Sequence, residues 1–126
     1  MKKAPRLSEA EWQVMKVIWR RASCSAQEVI EALAPNRDWS PATVKTLLNR
    51  LHRKGALDFE KTGKAYIYSP AFTEAEFTTQ EAESFLHRVF DGALSPMIAH
   101  FVQSHRLSRP EIDELERILR EERKDK

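Results

Sequence analysis

"SPATVKTLLNRLHRKG", Ser40 to Gly55, is the stretch on which the reading of this chain turns. Ser40 followed by Pro is the N-cap and N1 pattern of a helix start, and Gly55 suits the C′ position beyond its end. Between them Val44, Leu47, Leu48 and Leu51 recur at helical spacing and make one apolar stripe. The stretch also carries four positive charges, Lys45, Arg50, Arg53 and Lys54, and no carboxylate. At roughly 100° per residue, the face opposite the stripe holds Ala42, Thr46, Asn49 and Arg53. Lys45 and Arg50 flank that face, and Thr43 lies at its N-terminal end. Small residues let a helix tip enter a DNA groove. Asn can pair bidentately with adenine and Arg with guanine. Marginal cations, with the Ser40 and Thr43 hydroxyls at the positive helix end, suit phosphates. Trp39, just before the helix, is expected to pack on the core or to touch a phosphate.

The flanking sequence supplies the rest of a fold. "SEAE" (Ser8, Glu11) and "SAQE" (Ser25, Glu28) fit the capping box and open two helices. The first has Trp12, Met15, Ile18, Trp19 and Ala22 on its apolar face; the second has Ala26, Val29, Ile30 and Leu33 and stops at Pro35. After Gly55, "ALDFEKTGKAYIYSP" is rich in aromatic and β-branched residues and breaks at Thr62-Gly63, which predicts a β-hairpin. The pattern leaves open whether Tyr66 and Tyr68 or Ala65 and Ile67 face inward. Lys61 and Lys64 bracket Gly63 and extend the basic surface. Three helices followed by a hairpin are the layout of a winged helix-turn-helix, with the third helix in the major groove and the wing along the backbone.

Beyond Pro70 the pattern is helical again, with starts at Thr73, Ser95 and Ser108. The expected fold class is mostly α with a small β-hairpin: a winged-helix DNA-binding domain over 1–72 and a helical dimerisation domain over 73–126. Charge divides the same way. Residues 1–72 hold 13 Lys and Arg against 7 Asp and Glu, whereas residues 73–126 hold 8 against 12. A basic half suits a polyanion. The acidic half is too short to build much of a core alone, yet it is strongly apolar. Phe77, Phe85, Leu86, Val89 and Phe90 fall in its first helix, Met97, Ile98, Phe101 and Val102 in its second, and Ile112, Leu115 and Leu119 in its third. A second copy of the chain would cover them, giving a homodimer suited to a palindromic double-stranded operator. The closing "REERKDK" is expected to fray.

Composition excludes other classes. No apolar run approaches the roughly 18–20 residues of a membrane span. "MKKAPR" is followed by no apolar segment of the signal-peptide kind. Cys24 is the single cysteine, so an intramolecular disulfide and a Cys-based metal cage are ruled out. These features predict a cytoplasmic protein without membrane insertion. The four histidines lack metal-ligand spacing, and there is no phosphate loop or nucleophile motif. We expect no enzyme activity, no cofactor and no metal.

Three segments, "LSEAEWQVMKVIW", "WSPATVKTLLNRLHRKGAL" and "GKAYIYSP", resemble the bacterial penicillinase repressor family (BlaI/MecI/CopY). "FLHRVFDGALSPMIAHFV" is similar to the dimerisation segment of its β-lactam-responsive members. The resemblance runs from about Leu7 to about Leu119, nearly the whole chain. It implies a dimeric repressor of β-lactamase or penicillin-binding-protein genes, released when a membrane sensor protease system detects β-lactam and the repressor is cut in its dimerisation region. The family's cut falls at an Asn-Phe bond; the matching bond here is His100–Phe101, which agrees at the second residue and departs at the first. Copper-responsive relatives carry C-terminal Cys-x-Cys motifs, which this chain lacks. The alternatives are a repressor of the same family with another inducer, such as metal stress, or a winged-helix protein-interaction module. The polar face of Thr46, Asn49 and Arg53 argues against the module, because protein-binding faces display aromatic anchors.

Overall fold

A computed structural model describes residues 3–35 and 38–124. The elements run α1 (Glu9–Arg21), β1 (Cys24–Ser25), α2 (Ala26–Leu33), α3 (Pro41–Arg53), β2 (Leu57–Thr62), β3 (Ala65–Pro70), α4 (Glu74–Phe90), α5 (Leu94–Gln103) and α6 (Arg109–Lys124). The chain divides into two compact units, Met1–Ala82 and Glu83–Lys126. The expected break after residue 72 therefore falls inside the first unit.

In that unit α1, α2 and α3 pack on one another and on a three-stranded antiparallel sheet of order β1-β3-β2. Val14, Met15 and Ile18 of α1 meet Val29 of α2, Val44, Leu48 and Leu51 of α3 and Leu57 of β2, all buried. Capping boxes open α1 and α2: the Ser8 and Ser25 hydroxyls accept from the Glu11 and Glu28 amides, and each Glu carboxylate accepts in return from the Ser amide. The hairpin turns on Gly63 and Lys64, with Thr62 opposite Ala65 and Gly63 at φ 65°. A positive φ at the first turn residue is what glycine permits. The sheet has a strand that sequence patterning missed. Cys24 pairs with Tyr68 and Ser25 with Ile67, so Ser25 ends a strand and caps a helix at once.

Phe77 was expected at a dimer contact. It is instead only 2% exposed, locked among aromatic rings of the first unit. Its centroid lies 5.3 Å from Trp19, 5.6 Å from Phe72 and 6.2 Å from Trp12. The Trp19 indole N–H donates to the Phe72 carbonyl at 3.1 Å. Phe77 has no surface left for a partner because the aromatic faces of α1 need it.

The second unit differs in character. Neither α5 nor α6 contains a buried residue, and Phe85, Val89, Phe101, Val102 and Leu119 are exposed. Leu86, Phe90, Met97, Ile98, Ile112 and Leu115 are half-buried. The start of α5 departs from expectation: its N-cap is Ala93, with no side-chain cap, and Ser95 and Pro96 fall inside the first turn. Helix α6 runs to Lys124, and the last two residues of the closing segment expected to fray lie outside the described residues. Arg117 stitches this end, bonding Glu121 at 2.8 Å and Glu114 through its Nε at 3.1 Å. Among the described residues no helix is long and apolar enough to cross a membrane.

Candidate nucleic-acid interface

α3 is built to hold one face rigid and leave the other free. Its N-cap Ser40 accepts from the Thr43 amide at 3.2 Å, and the two hydroxyls lie 3.0 Å apart. At the far end a Schellman closure stops it: the Gly55 amide donates to His52 and the Ala56 amide to Leu51, at 3.1 and 2.9 Å, with Gly55 at φ 88°. The buried stripe is Val44, Leu47, Leu48 and Leu51. Ser40, Ala42, Thr43, Lys45, Thr46, Asn49, Arg50 and Arg53 are all exposed. The Thr46 hydroxyl donates to the Ala42 carbonyl at 3.0 Å. Lys61 and Lys64 are exposed on the wing. Trp39 is half-buried and packs against the core.

The fourth cation of the stretch behaves differently. Lys54 turns away from this face: its Nζ donates to Glu11 Oε1 at 2.7 Å and to the Arg6 carbonyl at 3.0 Å. Glu11 is only 3% exposed, and its Oε1 also accepts the Ser8 amide at 2.8 Å. Burial works to raise the Glu11 pKa, but the Lys54 ammonium and the Ser8 hydrogen bonds outweigh it and hold the carboxyl below the usual range. The clamp ties the C-terminal end of α3 to the segment before α1. Sequence reading missed it, since nothing in the spacing sets Lys54 apart from its neighbours.

The hairpin's open question divides within the tyrosine pair: Tyr68 turns inward while Tyr66 stays exposed. Tyr68 packs against the core, and Phe59, Tyr66 and Tyr68 share a face, with Phe59 centroids 5.1 Å from Tyr66 and 6.1 Å from Tyr68. Burial, with Tyr66 adding, pushes the Tyr68 phenol up. His52 of α3 closes on this face at 4.5 Å from Phe59, and Asn49 lines the recess between helix and wing with these rings.

In the second unit the His100–Phe101 bond lies in the last turn of α5. The His100 carbonyl accepts twice from Ser104, from its amide at 3.0 Å and from its hydroxyl at 2.7 Å. His100 also stacks near Phe90, with centroids 6.2 Å apart.

Comparison with known proteins places this architecture. The family model for penicillinase repressors matches residues 7–121. The penicillinase repressor of Bacillus licheniformis is 43% identical over 121 residues, covering 96% of this chain and 94% of that protein. The methicillin resistance regulatory protein MecI of Mammaliicoccus sciuri is 37% identical over 113 residues, covering 90% of this chain and 92% of the relative. The solution structure of monomeric Bacillus licheniformis BlaI in complex with the blaP half-operator is 46% identical. It superposes at a TM-score of 0.53 over 60% of this chain and 93% of that one. With a winged helix in its first unit and this likeness along nearly its whole length, the chain belongs to the penicillinase repressor family, whose members are transcriptional regulators and not enzymes.

Proposed function

We infer that the protein is a homodimeric repressor that binds a palindromic double-stranded operator through α3 and the wing. The observation that carries this reading is the exposed face of α3: Thr46, Asn49, Arg50 and Arg53 in line, with no carboxylate in the helix and two lysines on the adjoining wing. A relative 46% identical was solved on a half-operator with the matching unit, which supports carrying the DNA role over. The exposed apolar surface of α5 and α6 supports the dimer, because helices whose apolar stripes are at most half-buried in their own chain need a second layer. The resemblance to β-lactam-responsive repressors points to β-lactamase or penicillin-binding-protein genes as targets. It also points to release by cleavage at His100–Phe101 under a membrane sensor protease.

Selection of bound sequences from a random duplex pool, followed by titration at increasing salt, tests the DNA role. A palindromic consensus and an affinity that falls steeply with salt are expected. Recovery of no consensus would remove the operator reading. For the cleavage, intact-mass analysis of the repressor from β-lactam-treated cells should show a break after His100. Full-length protein persisting through derepression would rule it out.

A further inference from the structure

Only two large apolar side chains in the described part of the first unit are exposed, Phe59 at 41% and Tyr66 at 44%. They are not scattered. Their rings meet edge to face 5.1 Å apart, His52 of α3 lies 4.5 Å from Phe59, and all three line one recess with Asn49. Lys61, opposite Tyr66 in the hairpin register, holds its ammonium 5.9 Å from the Tyr66 ring centre. A water-facing aromatic corner such as this calls for an occupant.

The surroundings decide which one. The corner is narrow, continuous with Asn49 on the proposed reading face, and flanked by Lys61 and, one turn residue from the tip, Lys64. A protein partner would meet this positive rim with an acidic surface of its own. A nucleic acid supplies both halves of the chemistry at once: phosphates for the lysines and the C–H faces of deoxyribose for the rings. In a winged helix with α3 in the major groove and the wing along the backbone, one DNA strand passes over the junction of the two.

We propose that His52, Phe59 and Tyr66 form an aromatic seat for the DNA sugar–phosphate backbone, packing on deoxyribose beside the base pair that Asn49 faces. This deepens the DNA-binding reading and rests on it. The seat acts by apolar contact, so it adds affinity without adding released counterions, and it does so for any sequence. The lysines beside it do the opposite: they set the salt dependence.

The test uses the full chain and a mixed-sequence duplex, with binding followed by fluorescence anisotropy at several salt concentrations. Phe59→Thr and Tyr66→Thr keep strand propensity, and far-UV dichroism and thermal melting establish that each variant is folded. Each should weaken binding by about three- to tenfold, leaving the slope of log affinity against log salt unchanged. Tyr66→Phe, which keeps the ring, should stay within about twofold of the unaltered chain. Lys61→Ala should flatten that slope by about one. Folded Thr variants that bind as tightly as the unaltered chain would overturn the seat alone. So would a change in sedimentation with DNA binding intact, which would mark a protein interface. Failure of the unaltered chain to bind duplex at low salt would overturn the DNA reading and the seat together.

Discussion

Lys54 sits one residue past Arg53 in a run of positive charge, yet its ammonium reaches inward to Glu11 and the Arg6 carbonyl. Removing it leaves a buried carboxylate without its counter-charge. Lys54→Ala should therefore lower stability by about 1–3 kcal/mol in urea titration, with little change in the salt dependence of DNA binding. Asn49→Ala and Arg53→Ala should do the reverse. They leave stability nearly intact and cost discrimination by about 1–3 kcal/mol per lost base contact, whereas Lys64→Ala weakens all sequences alike. Equal losses on selected and random duplex would remove Asn49 and Arg53 from the reading face. The clamp also has a pH signature. Glu11 has a folded pKa held below its unfolded one, so its contribution is fully present above the ordinary carboxylate range. That contribution drains away as pH falls through the folded value. The acid side of the stability profile should be shallower in Glu11→Gln than in the unaltered chain, measured as urea midpoints down the pH scale.

At the scale of elements, what sequence revealed depended on how local the cause was. Capping boxes and hydrophobic stripes act within four residues, so α1, α2, α3 and α6 begin at the hydroxyls that sequence marks. Ser95-Pro96 misled because Pro is tolerated throughout a first turn, where its missing N–H has no partner to lose. α5 thus begins two residues earlier without a side-chain cap. β1 is two residues long and exists only because β3 lies beside it; a pairing so short leaves no periodicity to read. The exposed polar face of α3 was visible because one stripe fixes the opposite side. The aromatic corner was not, because it joins a helix to a hairpin whose inward face was undecided. One turn also carries strain in plain view. His105 occupies the C′ position after α5 at φ 56°, with the Arg106 amide closing on the Phe101 carbonyl at 3.0 Å. Glycine adopts that conformation without a Cβ penalty. His105→Gly should raise the chain's urea midpoint, by a gain of about 0.5–1 kcal/mol, and a lower midpoint would show that the histidine ring holds the turn.

For the whole molecule, Phe77 moves the working border of the reader unit. A fragment ending at Ala82 keeps the aromatic packing and should be a folded monomer by sedimentation, binding DNA more weakly than the full chain because it loses the linked second contact. A fragment ending at Phe72 lacks Phe77 and should melt earlier by several degrees, as removal of a buried aromatic costs about 3–5 kcal/mol. Equal melting of the two would place the border back at residue 72. The same packing makes the protein its own dye. Trp12 and Trp19, 5.7 Å apart and half-buried, are covered in part by the Phe77 ring, so their emission reports whether the start of α4 is seated. Seated, they emit toward the blue; unseated, as in Phe77→Ala, they emit toward the red. With Trp39, the third tryptophan, replaced by Phe, the docking of α4 can therefore be watched during operator binding or proteolysis by ultraviolet fluorescence, with no label attached.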